Sequence, residues 1–409
     1  MERYSEYKDS GVQWLGEIPS HWEIKRLGSY FIERKEKVSD KEYEPLSVTK
    51  NGIFPQLENV AKSNDGNNRK KVEVNDFVIN SRSDRKGSSG VSPLVGSVSL
   101  INTVLSPKDT ICPHYCKYLL KSVSFIEEYY RNGRGIVADL WTTRYDEMKL
   151  INIAMPPKID QTVISIYLDS VTSKIDEAIA QQQKMIDLLN ERKQIIINDA
   201  VTKGLDPTVP MKDSGIEWIG EIPSNWNTRR IKNACSIINE KTQDNIPYVE
   251  LENIESLTGR LISVSSNEPE SICSKFEKDD VLFNKLRPYL AKCIIAEFPG
   301  KCTSELIVLR HFHGDNRYLK YLLLSPKLIN EINMSTYGAK MPRANWSFIG
   351  HCKIPLPEEC IQRDIANYLD FVTSKIDKAI EKKQQLLILL QERKQIIINE
   401  VVTGKVKVS

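Results

Sequence analysis

The side chains of this 409-residue chain that are best suited to chemistry are cations gathered in polar, turn-forming runs. The run between Asn80 and Pro93 reads Ser81-Arg82-Ser83-Asp84-Arg85-Lys86-Gly87-Ser88-Ser89-Gly90, three cations against one acid. Guanidinium, ammonium and hydroxyl donors, with backbone amides at glycines, suit phosphate oxygens and the acceptor edges of bases. A solvated loop has the same composition, so the run leaves both readings open. Arg131, Arg134 and Arg144 make a second cluster around Gly133 and Gly135. Farther on, the segment 284–292 carries Asn284, Lys285, Arg287, Tyr289 and Lys292, three cations without an acid. The acid-free stretch 340–353 adds Lys340, Arg343, Asn345 and Trp346.

Motifs for catalysis are missing. The chain has neither a GxxxxGK[ST] phosphate loop nor a GxGxxG run. Met155-Pro156-Pro157-Lys158 is not the Asn/Asp-Pro-Pro-Tyr/Phe sequence of amino-methyltransferases. Glu-x-Lys spacings of nuclease type occur at Glu33/Lys35, Glu147/Lys149, Glu191/Lys193 and Glu392/Lys394, as chance predicts when 27% of residues are charged. His21, His114, His311, His313 and His351 form no triad or metal set. Cys112, His114 and Cys116 lie close together, but a structural zinc site wants four ligands, usually as two close pairs. The eight dispersed cysteines read as buried thiols in a reducing compartment, and no bound metal is expected. These residues describe a binder without catalysis of its own.

The elements that must position them are repeated. Residues 161–201 return as 362–402 at a constant offset: Tyr167-Leu168-Asp169, Thr172-Ser173-Lys174-Ile175-Asp176 and the run 191–198 match Tyr368-Leu369-Asp370, Thr373-Ser374-Lys375-Ile376-Asp377 and the run 392–399. In each copy the apolar residues keep to one helical stripe: Leu168, Val171, Ile175, Ile179, Ile186, Leu189 and Ile196, then Leu369, Val372, Ile376, Ile380, Leu387, Leu390 and Ile397. Gly204 and Gly404 stand just past the ends, where helices stop. About forty residues make a rod of roughly 60 Å, longer than one domain needs, which points to a spacer. A core helix in each half of a duplicated protein is the plainer reading. Gln182 and Lys383 share one place in the stripe, either fixing register, meeting a partner or leaving a hydrated defect.

A second repeat, Lys8-Asp9-Ser10-Gly11 through Trp14 to Trp22, recurs as Lys212-Asp213-Ser214-Gly215 through Trp218 to Trp226. Its tryptophans read as anchors at a domain edge. Between the repeats, short β-like runs alternate with turn clusters: strands are expected at 77–79, 98–105 and 151–154, and a helix over 115–130. The interior of the second half matches weakly but in register, with Asp280-Val281-Leu282-Phe283-Asn284 over Asp76-Phe77-Val78-Ile79-Asn80. Frames that agree while polar loops differ fit two domains that read different things. The balance of 57 basic against 54 acidic residues neither demands nor excludes nucleic acid. With no leader-like start and no long apolar run, a cytoplasmic chain is expected, with no membrane partner.

The alternation of unlike domain and repeated helix resembles the specificity subunit of type I restriction-modification systems. The KDSG, GEIP and Trp pattern of 8–22 and 212–226, the helix pieces YLD, TSKID and ERKQIIIN, the run 284–290 and Gly87-Ser88-Ser89-Gly90-Val91-Ser92-Pro93 carry the likeness over essentially the whole chain. One departure is that family members often carry Glu-Gln before the first long helix, where this chain has Asp160-Gln161 and Ile361-Gln362. The resemblance implies a mixed α+β chain with two target recognition domains, 1–157 and 204–357, separated by antiparallel spacer helices, 158–203 and 358–409, in a pseudo-twofold arrangement. It implies that each domain reads one half of a split duplex sequence, with the helices setting the unread gap, about one helical turn or roughly 34 Å between readers. Expected DNA contacts are Asn80, Arg82, Arg85, Lys86, Ser88, Ser89, Arg131, Arg134 and Arg144 in the first domain. In the second they are Asn284, Lys285, Arg287, Tyr289, Lys292, Lys340, Arg343 and Asn345. Leu168, Ile175, Ile179, Leu189, Ile196, Leu369, Ile376, Ile380, Leu390 and Ile397 form the expected helix seam. Two methyltransferase subunits and restriction/translocase subunits are the implied partners, holding S-adenosylmethionine, ATP and Mg2+, with no cofactor in this chain. An assembly scaffold without DNA readout is the alternative.

Overall fold

Two uninterrupted helices, Lys158–Lys203 and Glu359–Val402, run through a computed structural model that describes residues 2–56, 66–135, 141–265, 272–338 and 340–408. Their inner face follows a four-three alternation: Leu168, Thr172, Ile175, Ile179, Gln182, Ile186, Leu189, Lys193, Ile196 and Ala200 are all buried or half-buried. Leu369, Thr373, Ile376, Ile380, Lys383, Leu387, Leu390, Lys394, Ile397 and Val401 repeat the pattern. That is the heptad rhythm of a two-helix seam. The apolar stripe expected from sequence is contained in it, except that Thr172 and Thr373, whose hydroxyls donate to Leu168 O and Leu369 O at 2.7 Å, sit deeper than Val171 and Val372.

The chain divides into residues 1–182 with 385–409, and residues 183–384. The division therefore crosses both long helices near their middles, so each folded unit owns half of each helix. The sequence segments ending at 157 and 357 are boundaries of secondary structure, while the cores enclose helix halves as well.

In the first unit the opening segment forms a hairpin, Tyr7–Asp9 against Glu17–Pro19. A four-stranded antiparallel sheet orders Ser89–Val91, Phe77–Asn80, Asn102–Pro107 and Phe31–Glu33. A second sheet holds Gly96–Val98, Arg69–Val72 and Lys37–Val38. The single strand expected over 98–105 is thus two strands in different sheets, because the chain turns at 99–101. The helix expected over 115–130 is likewise two, Pro113–Leu119 and Val123–Arg131, parted where Ser122 caps the second by accepting from Phe125 N. Trp22, Tyr115, Phe125, Ile153, Leu168, Ile397 and Val401 share one core. Here the helix halves run antiparallel: Lys394 meets Asp176 at 2.6 Å, while Val402 O accepts from the Tyr115 hydroxyl at 3.3 Å near Leu168.

The second unit is built on the same scheme. Met211–Asp213 pairs with Glu221–Pro223. One sheet orders Ser236–Ile238, Leu306–Arg310, Val281–Asn284 and Cys293–Ile295, and helices Asn316–Leu324 and Pro326–Met334 are parted at Ser325. Its helix halves also run antiparallel, with Lys193 on Asp377 at 2.7 Å and the Tyr318 hydroxyl on Val201 O at 3.1 Å.

Matching polar joints fasten each long helix at its start. The Gln161 side chain accepts from Cys112 N at 2.8 Å and donates to Pro156 O at 3.0 Å; Gln362 accepts from Asp315 N at 3.2 Å and donates to Pro357 O at 2.9 Å. The far ends close on left-handed glycines, Gly204 at φ 77° and Gly404 at φ 75°. A Cβ on Gly404 would lie 2.3 Å from Pro19, and one on Gly204 3.1 Å from Trp226, so no side chain fits between helix end and opening segment.

Candidate nucleic-acid interface

In the first unit the loop after strand Phe77–Asn80 is stitched to two later segments. Ser83 N donates to Trp141 O at 2.9 Å, Thr143 N to Ser81 O at 2.9 Å, and Arg134 and Thr142 exchange backbone bonds of 3.1 and 3.0 Å. Arg82, Arg85, Lys86, Arg131, Arg134 and Arg144 are all exposed on this three-segment apron. Each is beside a carboxylate or caps a helix: Arg82 on Asp84 at 3.2 Å, Lys86 on Glu127 at 2.6 Å, Arg131 on Glu128 at 3.1 Å, and Arg134 on Glu147 at 3.5 Å. Arg85 lies 3.8 Å from the same Asp84, and Arg144 heads the turn Tyr145–Met148, its backbone N–H donating to Glu147 at 3.2 Å. Asp84 belongs to the loop itself, but Glu127 and Glu147 reach Lys86 and Arg134 from separate helices, which a count of cations along each run misses. The cations of these pairs are exposed, although Glu128 and Glu147 are only 12% and 17% exposed, so the guanidinium and ammonium groups are held weakly enough to exchange for a phosphate. Clefts of about 600 and 630 Å³ flank the apron, the first lined by Lys86, Arg131, Trp14 and Trp141, the second by Arg82, Arg144, Lys70 and Tyr145.

Asn80, Ser88 and Ser89 lie elsewhere than on that surface. All three are buried; Ser89 belongs to strand Ser89–Val91, and the Asn80 side chain accepts from Arg82 N at 3.1 Å. They brace the loop from beneath.

The second unit repeats the stitching with other side chains. Arg287 N donates to Pro342 O at 2.7 Å, Ala344 N to Lys285 O at 2.9 Å, and Tyr337 and Arg343 exchange backbone bonds of 3.2 and 3.0 Å. Asn284, wholly buried, donates to Leu286 O and Arg287 O at 2.9 and 3.1 Å and accepts from Lys292 N at 2.8 Å. That brace holds Arg287 and Ala291 in left-handed backbone, φ 52° and 44°, conformations costly enough to require support from outside the loop. Lys292 is spent on Leu251 O at 2.6 Å, and Arg343 is clamped on Glu305 by bonds of 3.0 and 2.6 Å. Arg287, whose guanidinium among the described residues donates to Lys340 O at 3.4 Å, stands with Lys285, Tyr289, Lys340 and Asn345 at the half-exposed or exposed surface. Two exposed neighbours go unnoticed in sequence, Tyr337 at 59% and Met341 at 62%, because neither is charged.

Among the described residues no group of three or more His, Cys, Asp and Glu side chains could hold a metal ion, and no helix is long and apolar enough to cross a membrane. Cys116 is buried, with its thiol on Cys112 O, and burial pushes that thiol well above its ordinary pKa.

A family model described as the type I restriction modification DNA specificity domain matches residues 223–388. The MjaVIII specificity subunit of a type I restriction enzyme from Methanocaldococcus jannaschii is 24% identical over 447 positions, covering 100% of this chain and 98% of that one. The EcoDI specificity subunit of Escherichia coli is 20% identical over 290 residues, 64% of this chain, which spans 65% of that subunit's length. Among solved structures, a chain from work on complex assembly and conformational transition of the type I restriction-modification system superposes with a TM-score of 0.70 at 15% identity, covering 95% of this chain and 99% of that one. The HsdS subunit of Thermoanaerobacter tengcongensis gives 0.51 at 15% identity, covering 97% and 100%. Likeness at that identity shows a shared fold.

Proposed function

We propose that this chain, which belongs to the type I restriction-modification specificity-subunit family, recognises a split DNA sequence with one half-site for each unit. DNA target recognition is the general work of the family; the division into halves is the finer reading. The observation that carries it is that both units brace a loop from beneath with a buried asparagine and stitch it to the same two segments, yet offer Arg82, Arg134 and Trp141 on one apron and Arg287, Tyr289 and Tyr337 on the other. Arginine in such a place pairs with the O6 and N7 of guanine, while lysines and backbone amides fix register on phosphates.

The long helices then act as a ruler, and partner subunits do the chemistry: two methyltransferase subunits bringing S-adenosylmethionine, and restriction/translocase subunits bringing ATP and Mg2+. Ile195, Ile388, Leu389 and Ile396 are each more than half exposed on the helices, apolar surface that suits a docked subunit better than water. Sequencing methylated sites in a host carrying this chain and its methyltransferase tests the reading. The expected result is a motif of two defined halves with an unread gap; an unsplit motif, or assembled complex whose DNA binding ignores salt, would overturn it. Four residues inserted near Gln182 should widen the gap by one or two base pairs, each residue adding about 1.5 Å.

A further inference from the structure

We propose that the first unit holds a site for a phosphate oxyanion at the root of its recognition domain, apart from the apron. A pocket of about 540 Å³ lies there, lined by the cations Lys50, Lys117, Lys121 and Lys394, by one carboxylate, Asp176, and by uncharged residues that include Gly52 and Gly90. Lys121 follows helix Pro113–Leu119 and donates to Lys50 O at 2.7 Å and Ser89 O at 3.0 Å, which leaves one of its three N–H groups for a ligand. The charges around it are unbalanced. Lys117 is neutralised by Asp169 at 3.1 Å and Lys394 by Asp176 at 2.6 Å, whereas Lys121 and Lys50 have no ion pair among the described residues. Burial, then the charges of Lys394 and Lys117, pull the Lys121 ammonium down to about 8. Gly90 and Gly52 of its lining pack backbone to backbone: a Cβ on Gly90 would stand 3.0 Å from Gly52 Cα.

The second unit shows that its fold does not demand such a pocket. Leu324 stands where Lys121 stands, in the shared Lys-Tyr-Leu-Leu context of 117–120 and 320–323. Arg260 lies over the helix there, on Glu381 at 2.9 Å and Asp377 at 3.1 Å, so its charge is answered from within. Four lysines on one roomy pocket, against the single lining carboxylate of Asp176, fit a tetrahedral oxyanion, whose oxygens are acceptors only and reach several donors at once. Free phosphate and a phosphodiester share that tetrahedral, acceptor-only geometry, the first with about two charges at pH 8 and the second with one.

The test treats the full-length chain at pH 8 with a lysine-acylating reagent and reads each lysine by peptide mass spectrometry, in chloride or inorganic phosphate of equal ionic strength. Phosphate should slow acylation of Lys121 by at least about fivefold, as a rise of one unit in its pKa would at that pH, and leave exposed Lys203 unchanged. Lys50→Gln, an exposed change, should raise the phosphate concentration for half-protection by about fivefold. Protection by a short duplex lacking the recognition motif assigns the site to phosphodiester; protection by inorganic phosphate alone assigns it to a free anion. Equal labelling of Lys121 in all conditions, or an unaffected Lys50→Gln protein, overturns the proposal. Neither result touches the half-site reading, which the methylated motif decides separately.

Discussion

In the first unit Asp76 grips Arg34 with bonds of 2.6 and 3.1 Å; in the second Asp280 grips Arg310 with bonds of 2.7 and 2.8 Å. Each carboxylate also accepts from the backbone three residues before it, Glu73 N at 2.8 Å and Glu277 N at 2.7 Å. Each stands just before the strand that leads into an apron loop, Phe77–Asn80 or Val281–Asn284. The joints agree bond for bond, while the loops beyond them share little more than the asparagine that braces them. A fold that must change what it reads without changing how it stands keeps its polar joints buried and confines variation to side chains whose loss leaves the frame intact.

Breaking a joint should therefore have the largest effect. Asp76→Ala leaves a guanidinium that is only 24% exposed with Ser106 Oγ at 3.4 Å and, among the described residues, no carboxylate at ion-pair distance, and removing one partner of such a pair costs about 3–5 kcal/mol. Asp280→Ala should cost less, because Arg310 keeps Glu277 at 3.4 Å and Glu240 at 3.8 Å within reach. Urea unfolding of both variants checks the order; a larger loss from Asp280→Ala would show that the two joints are not equivalent.

How far all this is legible in sequence depends on separation along the chain. The helices announce themselves because their period is local, and the left-handed glycines at their ends follow from it. Lys193 and Lys394 belong to the seam but are absent from an apolar stripe, since Lys193 is partnered by Asp377, 184 residues away. Arg343 reads as an available cation until Glu305, 38 residues earlier, is seen to hold it. Asn284 and Ser89 look like polar donors in a polar loop, yet the backbone folds over both and buries them. Composition finds the loop; only the folded pairing tells bracing side chains from presented ones.

A smaller effect is expected on the aprons themselves. On the proposal that each unit reads one half-site, Arg287→Ala should relax the half assigned to the second unit, costing about 1–3 kcal/mol of discrimination at one base pair while leaving the other half intact. Arg82→Ala should do the converse. Methylation motifs of both variants read this directly, and equal weakening of both halves would place these arginines on phosphates. Arg343→Ala offers a contrast within one unit: its side chain is tied to Glu305, so its loss should lower stability before it alters the motif.

The smallest effects should come from the seam lysines, where the two units differ in what surrounds one ion pair. Lys193 is 4% exposed and its partner Asp377 also receives Arg260 at 3.1 Å, so Lys193→Met leaves the carboxylate accompanied and should shift stability by no more than about 1 kcal/mol. Lys394 sits 2.6 Å from an Asp176 that is 56% exposed, so Lys394→Met leaves a carboxylate that water can serve. That change also removes a positive charge near Lys121. Because the Lys121 ammonium is pulled down to about 8 in the folded chain, against an ordinary value near 10.4, the folded state carries the burden of that charge below pH 8 and sheds it as pH rises toward 10.4. Lys394→Met raises the folded-state value, so the gain in stability between pH 7 and pH 10 should shrink relative to the parent chain; Lys193→Met should shrink it less, because the Lys193 charge is the smallest of the influences that lower the Lys320 ammonium. Denaturant midpoints at the two pH values decide the matter: equal gains in the parent and Lys394→Met would mean that the Lys394 charge does not reach Lys121.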